Sequence, residues 1–278
     1  MKVLIIGRTS TGKDSLKDLL IKNYGWTFVK SMATRPPRTP NEDTHIFLTP
    51  EEATNIPWED KAAWTQIGEY EYFATKQQIY EADAYIIDPK GAEMLLRNMP
   101  NEWFRIVYMK PADTDTQMEM AIKRADKPEK EIEVFKKRVE AENEQFNDFE
   151  AKLQNQNFQY PNCNTFIQFS NTYKEKDLED FAIELEMSRR FDRNIRPIID
   201  IMMEENILNH TDNNEPIFTD KDGQPIILRK DMMIEFLEQN SAMLGDFLHR
   251  WLQLSNIDIQ SMITSSFNNI DSNEELTE

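Results

Sequence analysis

The chain has 278 residues, of which 39% are hydrophobic and 29% charged, enough for one large domain or for one domain with an extension. Its formal net charge of −18 opposes general binding to nucleic acid or to an anionic membrane, because long-range repulsion acts against either partner. The single cysteine, Cys163, excludes an internal disulfide framework, and no apolar run has the length of a membrane span, so we expect a cytoplasmic protein.

The first motif follows an apolar run at residues 2–6, whose β-branched side chains predict a strand buried on both faces of a parallel sheet. Gly7 and Gly12 then frame a loop, Lys13 follows, and apolar residues recur at helical spacing from Asp14 onward. This order predicts a phosphate-binding loop, in which backbone N–H groups at a helix N-terminus hold phosphates and the lysine reaches the outer ones. The alternative is a turn that only joins a strand to a helix.

The loop departs from the usual motif at one position. The hydroxyl residue that commonly follows the lysine and holds Mg²⁺ is replaced by Asp14, and the hydroxyl comes one residue later, at Ser15. Asp14 is either linked to the metal or stabilises the first helical turn through the helix dipole. The loop residues expected to contact phosphate are Gly7, Thr9, Ser10, Thr11, Gly12, Lys13, Asp14 and Ser15.

A proline-rich segment, residues 31–43, comes next. Its prolines disfavour helix and favour polyproline II, which has three residues per turn. Arg35 and Arg38 then project in the same direction, a geometry suited to holding one phosphate from two sides. Taken alone, the segment is better explained as a basic surface loop.

Strands and helices alternate along the chain as far as residue 187. Predicted strands cover residues 2–6, 27–30, 45–48, 64–73, 84–88, 104–109 and 164–171, and predicted helices cover residues 14–24, 49–53, 76–84, 114–124, 129–153 and 176–187. Alternation behind a phosphate loop predicts an α/β fold with three layers and a mainly parallel sheet. Asp88 ends one of these strands, where a carboxylate faces the ligand crevice.

The pattern changes from Ser188 onward. Residues 191–209 are mostly helical in pattern despite Pro197, and a hairpin is predicted to turn at Asp222-Gly223. A long helix rich in Met, Phe, Leu and Trp is predicted for residues 230–254, before a polar tail. We interpret residues 188–278 as a mostly helical extension that packs on the first domain or pairs two chains as a homodimer.

The order of the earlier segments resembles guanylate kinase over residues 1–187, which we take as a guanylate kinase-like domain. Residues 31–38 are similar to the family's Ser-x-x-Thr-Arg-x-Pro-Arg segment, and residues 72–76 to its Tyr-Tyr-Gly-Ser/Thr segment. The strand ending at Asp88 matches another family feature, and residues 135–141 resemble the lid helix that supplies an arginine. Asn171 follows a strand, as the family's late asparagine does.

The resemblance implies a P-loop kinase with NMP-binding and lid insertions, which uses ATP and Mg²⁺ to phosphorylate a nucleoside monophosphate such as GMP or dGMP. The residues it implies for catalysis are Lys13, Arg35, Arg38, Arg124 and Arg138. Those implied for the acceptor are Ser31, Arg35, Arg38, His45, Glu69, Tyr72, Thr75 and Asp88. Asn171 joins the loop residues at the donor, and Asp14, Ser15 and Asp88 are implied near the metal.

Several positions differ from the family pattern. His45 and Phe73 stand where the family has tyrosines, and Lys90 stands where the family has an acid that reads guanine. A lysine cannot accept hydrogen bonds from guanine, so the base remains open between GMP, dGMP and other nucleoside monophosphates. The Gly-Lys-Asp-Ser form of the loop is similar to that of bacteriophage deoxynucleoside monophosphate kinases.

Two alternatives to a nucleoside monophosphate kinase remain open. One is a catalytically silent guanylate kinase-like module that binds a nucleotide or a protein; such modules commonly lose the phosphate loop, whereas Gly7, Gly12 and Lys13 are present here. The other is a different P-loop enzyme that acts on another small acceptor.

Overall fold

Strand β1 (Lys2–Gly7) lies inside a four-stranded parallel sheet. It pairs with β6 (Ala84–Ile86) on one side and with β7 (Phe104–Pro111) on the other, and β7 pairs with β8 (Cys163–Asn171). The strand order is therefore β6-β1-β7-β8. The carboxyl ends of these strands meet at one edge, which is where ligands bind in such sheets.

The structure is a computed structural model, and it describes residues 2–37, 39–111, 113–123, 128–154, 160–204, 208–213, 215–219, 225–227, 229–240, 244–245 and 247–248. The predicted positions Arg38 and Arg124, the predicted Asp222-Gly223 turn and the polar tail lie outside the described residues. The chain divides into two compact units, Met1–Arg190 and Phe191–Glu278.

Helices cover both faces of the parallel sheet. They are α1 (Lys13–Tyr24), α4 (Pro89–Asn98), α5 (Thr114–Lys123), α6 (Pro128–Gln154) and α7 (Glu175–Glu204). Because strand side chains alternate, Leu4 and Ile6 pack with α4 and α6 in one core cluster, while Val3 and Ile5 pack with α1 and α7 in the other. This three-layer α/β arrangement around a parallel sheet is the predicted one.

A second, smaller sheet has the strand order β3-β2-β5-β4. Its strands are β2 (Met32–Ala33), β3 (Ile46–Phe47), β4 (Lys61–Ile67) and β5 (Tyr70–Thr75), and two short helices accompany them, α2 (Pro50–Thr54) and α3 (Lys76–Glu81). Gly68 adopts a φ of 63° at the turn between β4 and β5, where a side chain would be strained. This sheet carries the proline-rich segment.

A buried ionic cluster fastens α7 to the chain that follows α1. Glu186 accepts hydrogen bonds from Trp26 Nε1 at 2.7 Å, Arg189 Nε at 2.9 Å and Arg190 Nε at 2.8 Å. Arg189 also donates to Asp83 Oδ2 at 3.1 Å and lies 4.8 Å from the centre of the Trp26 ring. Glu186 and Arg189 are only 5% and 4% exposed, so each charge depends on the other.

The second unit has its own core. Strands β9 (Ile217–Thr219) and β10 (Pro225–Ile227) pair in antiparallel fashion, and α8 (Lys230–Gln239) follows. Ile195, Ile199, Met233 and Leu237 are among its buried side chains. None of the helices in the described residues is both long and apolar enough to cross a membrane.

Four predicted elements are wrong in extent. The strand predicted for residues 64–73 is two antiparallel strands, β4 and β5, with a turn between them. Residues 27–30 form no strand, since only Phe28 bridges to the sheet, at Ala84. The helix predicted to end at residue 187 continues to Glu204, because buried helical positions such as Ser188 and Arg189 carry it onward. The helix predicted for residues 230–254 is interrupted after Gln239, where Asn240 has the non-helical angles φ −130° and ψ 81°.

Candidate active site

The predicted phosphate loop connects β1 to α1 and curls around the amino group of Lys13. Lys13 Nζ donates to the carbonyl oxygens of Gly7 at 2.7 Å and Arg8 at 2.6 Å. A Cβ atom on Gly7 would lie 2.7 Å from the Met109 carbonyl oxygen, so the close approach to β7 requires glycine. Gly12 has a φ of 89° and begins α1. The lysine charge is therefore held at the helix N-terminus, where an anion is favoured.

Three side chains outside the loop hold its carbonyl groups. Gln117 Nε2 donates to Thr9 O at 2.6 Å, Tyr173 Oη to Ser10 O at 2.9 Å, and Asn171 Nδ2 to Thr11 O at 2.9 Å. Gln117 and Asn171 are buried. In a trans peptide the N–H points opposite to the C=O. The N–H groups of Ser10, Thr11 and Gly12, which follow the held carbonyls, therefore point away from the three supporting side chains.

Backbone strain marks the same contact. Ser10 and Tyr173 have φ values of 57° and 60°, and they are the non-glycine residues with positive φ in the described chain. They are joined to each other by the Tyr173 hydroxyl. Strained backbone persists where its surroundings fix it, as they do at binding sites. Sequence reasoning missed Gln117 and Tyr173, and no local pattern points to either residue.

Helix α6 is fastened to the loop through Arg8. Its guanidinium donates to Asn143 Oδ1 at 2.9 Å, Asn147 Oδ1 at 2.9 Å and Glu150 Oε1 at 3.3 Å. It also lies 5.1 Å from the centre of the Phe146 ring. These partners recur at spacings of three and four residues, so one face of α6 meets the loop.

The same helix carries an acid that contacts the loop and, one turn earlier, an exposed arginine. Glu142 Oε2 accepts a hydrogen bond from the Thr9 backbone N–H at 3.0 Å. Arg138, a predicted catalytic residue, is exposed and precedes Glu142 by four residues. That spacing places its Cβ on the same helix face, about 6 Å away.

A cavity of about 230 Å³ lies beside the small sheet. Ser31, His45, Tyr72 and Asp88 line it together with Ala63, Trp64, Thr65, Ile67, Tyr85, Ile86, Ile87 and Gly91. Ser31 Oγ lies 2.8 Å from His45 Nδ1, and the rings of His45 and Tyr72 meet edge to face. Burial raises the pKa of Tyr85 above its ordinary value, so its hydroxyl keeps its proton. Four predicted acceptor residues therefore surround one cavity.

Asp88 has a structural partner as well as a place in this cavity. It caps α4, where its Oδ1 accepts from the Gly91 N–H at 3.0 Å, and Gln145 of α6 also donates to it. Among the described residues that line the cavity, Asp88 is the only one with a carboxylate. The carboxylate therefore joins the cavity wall to α6.

Arg35 is paired with an acid of its own segment. Its Nη1 and Nη2 donate to the two carboxylate oxygens of Glu42 at 2.9 Å and 2.5 Å, and its guanidinium lies 5.0 Å from the Phe47 ring centre. The hydrogen bonds to Glu42 raise the pKa of Arg35 above its ordinary value, so it stays charged. Arg35 is 6% exposed, and its Nε has no hydrogen-bond partner among the described residues. The guanidinium is thus preformed for a planar anion and occupied by a carboxylate.

Three predicted acceptor residues in the described chain, Arg35, Glu69 and Thr75, do not line the cavity. Glu69 is exposed in the turn between β4 and β5. Thr75 caps α3, where its hydroxyl accepts from the Gln78 N–H at 3.3 Å. Glu71 is held by Trp64 Nε1 at 3.2 Å and by Lys61 at 3.5 Å. Glu71, like Glu69 and Thr75, does not line the cavity.

A second cavity, of about 280 Å³, borders the phosphate loop. Its lining comprises Gly12, Ser15, Leu19, Met120, Asn171, Tyr173, Lys174, Glu175 and Leu178. Apolar side chains and a few polar groups at the end of a phosphate loop suit a flat heterocycle. Asp14 is exposed in the first turn of α1.

Sixty-seven chains of solved structures match this chain. No protein-family model matches the chain, and no curated protein is similar to it. Guanylate kinase from Anaplasma phagocytophilum is a similar solved structure, with 15% sequence identity and a TM-score of 0.37. The likeness covers 68% of this chain and 84% of that one.

The residues predicted near the metal do not form a metal cage. Within the described ranges, no group of three or more His, Cys, Asp or Glu residues could hold a metal ion. Mg²⁺ is commonly bound by one or two side chains together with substrate phosphates and water. Ser15 at the loop and Asp14 beside it fit that kind of site, whereas Asp88 is already engaged by Gly91 and Gln145.

Proposed function

We propose that the chain transfers a phosphoryl group from ATP to a nucleoside monophosphate. The observation that carries the proposal is the phosphate loop: its lysine is held at a helix N-terminus, and Gln117, Tyr173 and Asn171 hold its carbonyls from outside. Phosphoryl transfer requires positioning and charge neutralisation rather than covalent chemistry, and a rigid loop of N–H donors supplies both.

The donor half of the site is built on the loop. Lys13 would leave its two loop carbonyls for the outer phosphates, while the N–H groups at the start of α1 hold the inner ones. The cavity beside Gly12 and Ser15 would receive the donor base. Mg²⁺, held by Ser15 and water with Asp14 behind it, would neutralise charge on the phosphates.

The acceptor half is built around Arg35. Its buried guanidinium would exchange the Glu42 carboxylate for the acceptor's phosphate, with the Ser31–His45 pair beside the sugar. The Nε of Arg35, which no described residue engages, offers one further donor to that anion. Arg38 and Arg124 keep their predicted roles as phosphate ligands, and Arg138 would approach from α6.

The cavity offers hydrogen-bonding groups to a base but does not select one base. Asp88 can accept hydrogen bonds from a base, and Thr65 can either donate or accept. Glu69 and Glu71 do not line the cavity, so the paired carboxylates expected for guanine are not assembled here. We therefore keep GMP and dGMP as candidates alongside other ribo- and deoxyribonucleotides.

A nucleotide panel tests the function. ADP release in a coupled assay, measured with each nucleoside monophosphate and its deoxy form, should show turnover with at least one acceptor and only slow hydrolysis without any. If none is phosphorylated while calorimetry shows ATP binding, another small acceptor is indicated. If ATP does not bind and a peptide does, the silent binding module is the better explanation.

Arg35 gives a specific prediction. Arg35→Lys should raise the KM for the acceptor by about 10- to 100-fold while changing the KM for ATP little, because a lysine keeps the charge but loses the two parallel hydrogen bonds. Arg97→Ala, at an exposed site on α4, is the matched control and should behave as wild type. An unchanged acceptor KM in Arg35→Lys would remove Arg35 from the acceptor site.

The cellular setting is proposed from the sequence. A chain with one cysteine and a nucleotide substrate suits the cytoplasm, with neither nucleic acid nor membrane as partner. Homodimer formation through residues 188–278 remains a proposal, and light scattering of the full chain measures it directly.

A further inference from the structure

A carboxylate of α6 occupies a hydrogen-bond donor of the phosphate loop. Glu142 accepts from the Thr9 N–H at 3.0 Å. Backbone N–H groups in such a loop are the donors that bind phosphate oxygens. A carboxylate oxygen has the same charge sign and the same acceptor character as a phosphate oxygen. The chain therefore supplies its own anion to the loop.

Neighbouring contacts fix Glu142 in this position. Asn143 and Asn147 hold Arg8 at 2.9 Å each, and Gln145 donates to Asp88. These three residues follow Glu142 directly along α6. The contact with Thr9 is thus part of an interface along the helix.

We propose that Glu142 is a positioning residue of the donor site, which holds the Thr9 N–H in the nucleotide-free chain and is displaced when a polyphosphate binds. The proposal rests on the proposed function, since it assumes that the loop receives a polyphosphate. Two anions cannot share one N–H donor, and in a partly buried site their repulsion is weakly screened. Phosphate binding and the Glu142 contact therefore exclude each other.

Displacement of Glu142 would bring Arg138 toward the loop. Arg138 lies one helical turn earlier on the same face of α6. A phosphate at the loop repels the carboxylate and attracts the guanidinium, so α6 exchanges one for the other. The Glu42–Arg35 pair shows the same relationship at the acceptor half, where a carboxylate of the chain holds the group proposed to bind phosphate. Glu142 thereby links occupancy of the loop to the placement of Arg138.

The experiment measures binding of inorganic tripolyphosphate to the full chain by calorimetry. Glu142→Gln keeps the side-chain size and removes the competing charge, so the dissociation constant should fall by about tenfold. Glu144→Gln is the matched control, because Glu144 is exposed on the same helix and its replacement changes the net charge equally. The control should remain within about twofold of wild type, which excludes a general charge effect.

A second readout follows the Thr9 amide itself. Its hydrogen exchange, measured by NMR, should be slow in the nucleotide-free wild type and faster in Glu142→Ala. Tripolyphosphate should slow it again in the variant. A purely structural role for Glu142 would leave the exchange fast in the variant even with tripolyphosphate bound.

The outcomes separate the two proposals. If tripolyphosphate binds the wild type but Glu142→Gln binds it no more tightly than Glu144→Gln, the displacement proposal is overturned and the donor site stands. If no variant and no wild-type protein binds tripolyphosphate, the proposed function fails as well. Thermal unfolding of each variant shows whether it is folded. If Glu142→Gln is not folded, Glu142→Asp replaces it in the binding measurement, because it keeps the charge but shortens the side chain.

Discussion

Lys13→Met should lower kcat for phosphoryl transfer by about a thousandfold, while ATP binds more weakly and the fold is retained. The methionine keeps the length of the side chain but carries no charge to place against the outer phosphates. Lys13 donates to the carbonyls of Gly7 and Arg8, at 2.7 Å and 2.6 Å, so its amino group already lies inside the curve of the loop. The rate should be measured in the coupled assay with saturating acceptor.

The control for this prediction is Lys22→Ala. Lys22 lies in the last turn of the same helix and is exposed, so its loss removes an equal charge far from the loop. It should leave kcat within about twofold of wild type, because a surface charge at that distance is screened. A Lys13 variant that retained most of its activity would show that the loop does not hold the reacting phosphates.

Glu186→Ala should lower the free energy of unfolding by about 3–5 kcal/mol. The substitution leaves the buried Arg189 without its closest carboxylate and removes the acceptor of the Trp26 Nε1–H group. Arg189 keeps Asp83, at 3.1 Å, but that carboxylate also serves Thr27. Urea unfolding followed by tryptophan fluorescence measures the loss directly.

Glu184→Ala is the matched control for Glu186→Ala. Glu184 is exposed on the same helix, so its replacement should cost less than about 0.5 kcal/mol of unfolding free energy.

The pH dependence of stability gives a second measure of the Glu186 contribution. Burial raises the pKa of Glu186, but hydrogen bonds from Arg190, Trp26 and Arg189 outweigh burial and hold the pKa below the ordinary 4.5. Its contribution is therefore complete above pH 4.5 and is lost as the pH falls further, a dependence that Glu186→Ala should lack. Equal acid sensitivity in both proteins would contradict this assignment.

The parallel sheet and the strand–loop–helix arrangement around Gly7 and Gly12 could be predicted because their signals are local. Four consecutive apolar residues, Val3 to Ile6, precede Gly7 and need burial on both faces, which a central parallel strand provides. The glycines at positions 7 and 12 are required by contacts that leave no space for a Cβ atom. The order of the apolar run, the glycines and the helical pattern along the chain then predicts the strand–loop–helix arrangement without any long-range information.

The supports of the site could not be predicted, because they are long-range contacts with no local pattern. Gln117 reaches Thr9 from α5, and Glu142 reaches the same residue from α6. In sequence, each is an ordinary polar residue on a charged helix. The pairing of Arg35 with Glu42 was missed for a different reason: a proline-rich segment does not reveal whether it folds back on itself.

The contact between Asn171 and Thr11 has a consequence for the order in which the protein acquires its site during synthesis. The residues are 160 positions apart, and the asparagine amide nitrogen lies 2.3 Å from the position that a Cβ atom of Gly12 would take. When β1 and α1 have emerged from the ribosome, the residues of the loop are present, but the asparagine that supports the loop is not yet synthesised. The loop reaches its final geometry only after β8 has emerged and paired with β7. Nascent chains that stop before Asn171 should not be retained by immobilised ATP, and those that extend well beyond β8 should be.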